Sequence, residues 1–256
     1  MERKPQLPEN LSFNWSEHFI GNWDLFQKVL KNPETIFVYD MDGILEYTAE
    51  RVLEKFSDEN GIHADPAEIN GWNYLSKLAK EAGMSEEKIK HADDYWYDPQ
   101  LLLTVRRNLY IKPVVMKTVN YFGAKRNYVL TSRNPEFKDV TLERLTHEFS
   151  ELLTKNIMIR KNKKKDPTKF KSQSLRRLAK RAPWVVFVDD ATDFIKSALD
   201  SNIDNLIAVN IPQGKVMPDF SHERLIIIKR YPVEYQAMLP FMYAVFAAID
   251  GPSSTR

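Results

Sequence analysis

Three separate segments of this chain run through a largely apolar stretch and then stop in a polar cluster. IFVY runs into Asp40, Met41, Asp42 and Gly43; NYVL into Thr131, Ser132 and Arg133; VVFV into Asp189 and Asp190. A strand with one face in water alternates apolar and polar residues, whereas an unbroken apolar strand must be covered on both faces. Between and after these segments come helical patterns such as NWDLFQKVLKN, PEFKDVTLERLTHEFSELL, TKFKSQSLRRLAKRA and ATDFIKSALDSNI, and further apolar strands NIMI (156–159) and LIAVNI (206–211). RLIIIKR reads as an edge strand. Strands alternating with helices predict an α/β fold, a Rossmann-like, doubly wound parallel sheet with helices on both faces. In that architecture ligands bind at the carboxyl ends of the strands, which is where the three polar clusters fall.

The chemistry of those ends is acidic. Side chains at i and i+2 of an extended segment share a face, so Asp40 and Asp42 can address one site while Met41 packs away from it. Gly43 allows a sharp turn beside a ligand. Close carboxylates repel, and their pKa values separate unless a cation lies between them. With Asp189 and Asp190 added from another strand end, a hard divalent cation such as Mg²⁺ relieves the conflict.

The succession of DMDG, VLTSR, a helix-borne lysine in TKFK and FVDDA resembles the haloacid dehalogenase superfamily of phosphotransferases, across about residues 35–211. The resemblance implies a role for each motif residue. Asp40 would be a nucleophile that forms an aspartyl-phosphate, and Asp42 the acid and then the base, its backbone carbonyl also meeting the metal. Thr131 and the Ser132 amide, with Arg133 and Gly43 beside them, would hold the phosphoryl group. Lys171 would neutralise charge, with Lys169 and Lys165 as rivals for that place. Asp190 would bind Mg²⁺ directly and Asp189 through water or from behind. The expected activity is Mg²⁺-dependent hydrolysis of a phosphomonoester on a small phosphorylated metabolite or nucleotide. The alternatives are a nucleic-acid end-processing phosphatase and a non-catalytic phosphate-binding scaffold on the same fold.

About 90 residues separate Asp42 from Thr131, where a direct crossover needs far fewer. Residues 46–110 are therefore expected to form a small helical cap, inserted into a core made of 1–45 and 111–256, with 1–33 as an N-terminal arm. Its aromatics (Tyr47, Trp72, Tyr74, Tyr95, Trp96, Tyr97) serve either as the cap's own core, the preferred reading, or as stacking faces for a base. Arg106 and Arg107 are candidates to meet phosphate. YWYDPQLL, KPVVMKTVNYF and VLTSR together are similar to deoxyribonucleotidase-type 5′-nucleotidases. The ILEYT after DMDG departs from that subtype.

The segment 160–171 holds seven basic residues and one acid, in a chain whose net charge is only +2. Such a run is ordinarily a solvated loop. Here it also suits a funnel for anionic substrates or a seat for a nucleic-acid backbone. The absence of cysteine excludes disulfides and thiolate metal sites. No GxGxxG, Walker loop, HExxH or GxSxG pattern occurs. The N-terminal residues lack a signal-peptide apolar region, and the apolar run 239–249 is too short to span a bilayer. A cytoplasmic, non-membrane protein is expected. The apolar run reads as a core helix or, alternatively, a docking helix. Oligomeric state has no signature in the sequence.

Overall fold

The computed structural model describes residues 18–69, 71, 73–149, 153, 155–162, 164–212, 217–229 and 238–250. The first part of the N-terminal arm and Trp72 lie outside the described residues. Among the described residues seven strands form one sheet: β1 (Phe19–Gly21), β2 (Ile36–Tyr39), β3 (Asn127–Thr131), β4 (Ile157–Ile159), β5 (Val185–Asp189), β6 (Leu206–Asn210) and β7 (Leu225–Ile228). Their order is β1-β7-β6-β5-β2-β3-β4, and every pairing is parallel except that of β1 with β7. The α/β, doubly wound fold class expected from the sequence is the fold observed. One detail differs. RLIIIKR is not the edge, because β1 from the N-terminal arm pairs outside it. Three residues, two of them exposed, carried no strand pattern of their own.

The continuous apolar strands are explained by two separate cores. Phe37, Tyr39, Val129, Val186, Val188, Val209 and Ile226 face one side. There they meet α1 (Trp23–Leu30), α6 (Ile111–Phe122), α7 (Lys138–Phe149) and α10 (Met238–Asp250). Ile36, Val38, Leu130, Val185, Phe187 and Ala208 face the other, against α8 (Pro167–Ala179) and α9 (Thr192–Asp200). Alternate residues of one strand thus enter different cores, as the pleat requires. Phe241, Met242, Ala244, Val245 and Ala248 of α10 are buried in the first core. The apolar C-terminal segment is therefore core rather than docking surface, and no helix among the described residues is long and apolar enough to cross a membrane.

After β2 the chain leaves the sheet into α2 (Thr48–Asn60), α3 (Tyr74–Glu81), α4 (Glu86–His91) and α5 (Pro99–Thr104). These helices pack around a third cluster that includes Val52, Phe56, Tyr74, Leu75 and Leu101, with Tyr95 and Trp96 against it. Tyr97 is exposed and Tyr47 buried. The aromatics that belong to this cluster thus serve packing. The outgoing and returning chains are stitched together beside the sheet. Tyr47 N donates to Arg106 O (2.9 Å), Asn108 N to Leu45 O (3.0 Å), and the Asn108 amide to Ile44 O (2.8 Å).

Candidate active site

The register of the sheet assembles the site. β2 lies between β3 and β5, with Tyr39 opposite both Val129 and Val188. Asp40 N donates to Val188 O at 2.9 Å. The residue after β2 is therefore held beside the ends of both neighbours, Thr131 on one side and Asp189 on the other. From β2 the chain winds outward to β3 and β4, then returns to β5 on the opposite side. This reversal is the crevice where open α/β sheets bind ligands.

Asp40, Asp189 and Asp190 each offer a carboxylate oxygen, and the three atoms lie within 4.8 Å of one another. Lys171 stands behind them, fully buried, with Nζ 2.8 Å from Asp40 Oδ1 and 2.7 Å from Asp189 Oδ2. The same Nζ sits 3.9 Å from the centre of the Phe194 ring. Lys171 reaches inward because α8 buries Phe170, Lys171, Ser174 and Leu175 together. Lys169 is exposed, and Lys165 bonds Gln173 at the surface. Of the three rival lysines, only Lys171 meets the acids.

One ammonium cannot neutralise three carboxylates. Burial raises the Asp40 pKa, against the pull of Lys171 and with a further push from Asp189 and Asp42, up to about 8. Burial also raises Asp189, although Lys171 opposes it. It raises Asp190 well above the usual range, with Asp189 and Asp40 adding to the effect. Burial works against the charge on Lys171 too, but Asp189 and Asp40 overcome it and hold the ammonium protonated. The donors are all oxygens, from three acids sharing a single positive charge, and this set fits a hard divalent cation. Asp190 is the least buried of the three. Asp189 already bonds Lys171 and accepts from Ala191 N at 2.9 Å.

Asp42 is turned elsewhere. Its Oδ1 accepts from Arg133 Nη2 (2.6 Å), Arg133 Nε (3.1 Å) and Thr48 Oγ1 (2.5 Å), and its Oδ2 from Arg133 Nε (3.0 Å). Burial opposes the charge on Asp42. Arg133, by charge and hydrogen bonds, and Thr48 outweigh it and hold the carboxyl below the usual carboxylate range. Its side chain is not part of the acid trio that gathers around Asp40. Arg133 is buried, and also bonds Glu46 Oε2 (2.8 Å) and Thr141 Oγ1 (3.2 Å). Sequence reasoning placed Arg133 against phosphate; the structure turns it onto two carboxylates instead. Thr131 is fully buried at the end of β3, with its Oγ1 accepting from Arg133 N, and Ser132 is half-buried beside it. Arg106 pairs with Glu54, and Arg107 bonds His147.

Three supporting residues were missed. Glu46 is buried between Arg133 and Arg144, whose Nε lies 2.7 Å from Glu46 Oε1. Arg144 also donates to Leu103 O and Val105 O at the end of the helical insert. Asn210 ties down the backbone of the acid pair through Asp189 O (3.2 Å) and Asp190 O (3.0 Å). Glu46 did leave a signal, as a lone acid inside the apolar run of ILEYT. Asn210 left one as the polar end of an apolar strand. Arg144 left none.

No known protein-family profile matches the chain, and no curated protein matches its sequence. Solved structures that align with the chain include a haloacid dehalogenase-like family hydrolase from Streptococcus pneumoniae (TM-score 0.48, 12% identity, 82% of this chain and 99% of the other). A candidate β-phosphoglucomutase from Bacteroides vulgatus aligns with TM-score 0.48 and 16% identity, over 89% of this chain and 99% of the other. A candidate haloacid dehalogenase-like hydrolase from Burkholderia xenovorans aligns at 0.42 and 15%, over 71% and 83%.

Gly43 earns its place by contact. Its φ is +83°, and a Cβ there would lie 2.4 Å from the Asp190 carboxyl. Gly43→Ala is therefore expected to displace Asp190. Mg²⁺ affinity, read from a metal titration of the thermal midpoint, should fall about 10–100-fold, as when other groups that orient metal ligands are changed.

Proposed function

We propose that this protein hydrolyses phosphomonoesters through an aspartyl-phosphate on Asp40, with Mg²⁺ as cofactor. The observation that carries this reading is the strand-end carboxylate Asp40, buried against Lys171, with Asp189 and Asp190 within metal-sharing distance. Asp40, Asp190 and the Asp42 carbonyl would hold the ion, with Asp189 behind. When bound, the ion neutralises charge on the phosphoryl oxygens and the nucleophile.

The protein groups then divide the work. An Asp40 oxygen attacks phosphorus while the bond to the ester oxygen breaks. The Thr131 hydroxyl and the Ser132 amide fix the phosphoryl oxygens, and Lys171 offsets the charge that builds beside Asp40. The departing oxygen takes a proton from Asp42. Water then attacks the aspartyl-phosphate and gives a proton back to Asp42, releasing inorganic phosphate and restoring Asp40. As clasped by Arg133, Asp42 is an ionised carboxylate, able to accept a proton and unable to donate one. The donating half therefore requires it to turn from Arg133 toward the leaving oxygen. Arg144 spans Glu46 and the end of the insert, so movement of the helical insert is the natural means to loosen this clasp.

The test is hydrolysis of para-nitrophenyl phosphate by the full chain. Activity is expected with Mg²⁺ and is expected to vanish with EDTA and return on adding the metal back. At a hundredfold excess over its dissociation constant, Mg²⁺ should stabilise the fold by about 2.7 kcal/mol. Metal-independent hydrolysis, or none with any phosphomonoester, refutes the reading.

A further inference from the structure

Helix α8 has two charged faces with separate uses. Lys171 points inward to Asp40. On the opposite face Gln173, Arg176, Arg177 and Lys180 follow one another at helical spacing. Together with Lys165 from the preceding loop they line a cavity of about 300 Å³. Four of its five lining residues are cations, and no carboxylate lines it.

Some surface cations elsewhere in the chain are paired with acids. Lys55 pairs with Asp98, Lys196 with Asp200 and Arg51 with Glu54. In the groove the bonds go to neutral acceptors. Arg176 donates to Ser201 O, Arg177 to Ser174 Oγ and Lys165 to Gln173 Oε1. These bonds hold the side chains in place without cancelling charge. Among the described residues none of the four cations has an ion pair. Like charges at neighbouring helix positions repel, and an anion seated among them removes that penalty. The balance of the whole chain, 37 basic against 35 acidic residues, does not predict such a concentration.

The shape of the cluster selects the anion. From Gln173 to Lys180 the stripe runs along roughly 10 Å of helix. That exceeds a single phosphate, and four unpaired cations suit about three phosphates of a backbone. Lys161 and Lys164, which follow β4, are exposed, and β4 ends on the same rim of the sheet as Asp40. Phe170 is buried beneath the Lys165 ammonium and offers no stacking platform. Recognition there is by charge rather than by base.

We infer that this groove binds the phosphodiester backbone of a single-stranded polynucleotide, and that the Asp40 site acts on the phosphate at such a strand's end. The second half rests on the proposed function; the first does not. The test is fluorescence anisotropy of the full chain with hydroxyl-ended RNA and DNA decanucleotides, over a salt series. Binding without base preference is expected, with a log K against log salt slope near −2 for about three phosphates. The exposed triple variant Arg176→Gln/Arg177→Gln/Lys180→Gln should melt with the wild type, bind at least tenfold more weakly and lose most of that slope. A 5′- or 3′-phosphorylated decanucleotide should be hydrolysed with at least tenfold higher kcat/KM than the matching phosphorylated dinucleotide, and the triple variant should erase the difference. No binding at low salt, or a variant that binds as the wild type does, overturns the groove. Oligonucleotide binding without hydrolysis of any phosphomonoester leaves the groove standing and overturns the catalytic reading.

Discussion

Asp40→Asn is expected to lower phosphomonoester hydrolysis at least about 10⁴-fold, as loss of a covalent nucleophile does, while making the metal-free protein more stable. The two effects come from one arrangement. Asp40, Asp189 and Asp190 share a single ammonium, so the folded apo-protein holds more carboxylate charge than it can neutralise. The sign follows from linkage. Burial and the neighbouring acids raise Asp40 to about 8, above the ordinary aspartate value near 4. Between those limits the folded state binds more protons than the unfolded one, so stability falls as pH rises from about 4 through about 8. An amide of the same shape removes that loss. Lys171 keeps Asp189 as a partner, so no buried charge is orphaned. Melts in EDTA at pH 8.5 should place the variant roughly 3 °C or more above the wild type, and the gap should shrink toward pH 5. Saturating Mg²⁺ should reverse the order, because it binds the wild type more tightly. A variant less stable than the wild type at every pH would mean that Asp40 serves the fold rather than the site.

This tension also explains which parts of the molecule could be read in advance. The strands could, because a sheet covered on both faces demands unbroken apolar runs, and Ile36–Tyr39 and Val185–Asp189 supply them. The acid trio could, because a polar residue at the end of such a strand has one place to go. β1 could not. Its pairing with β7 is backbone hydrogen bonding by a three-residue segment, and short edge strands owe little to side-chain pattern. The choice of Lys171 over Lys169 needed the phase of α8, which the structure fixes by burying Phe170 and Leu175. The hardest case was Arg133. Sequence proximity to Thr131 and Ser132 suggested phosphate, whereas the side chain bonds two carboxylates. Its partners Asp42 and Glu46 lie 91 and 87 positions away, beyond the reach of any local pattern.

That clasp carries the second large effect. Arg133→Leu is expected to destabilise the protein by about 3–5 kcal/mol, since removing one member of a buried ion-paired set leaves a carboxylate without its cation. Asp42 is the more damaged of the two acids, because it keeps only the Thr48 hydroxyl and 24% side-chain exposure, whereas Glu46 keeps Arg144 Nε at 2.7 Å. A second substitution, Asp42→Asn, removes the stranded charge. The pair of changes should therefore recover at least about half of the loss, a coupling that a double-mutant cycle measures directly. Arg133→Lys separates position from charge. It keeps a cation but cannot address Asp42 and Glu46 with one planar fork. With the fold retained, it should shift kcat by about tenfold or more and leave KM for para-nitrophenyl phosphate nearly unchanged, because Arg133 touches Asp42, the proposed proton-transfer residue, rather than the ester. An increase in KM at constant kcat would instead return Arg133 to the phosphate, where its place beside Thr131 first suggested it belonged.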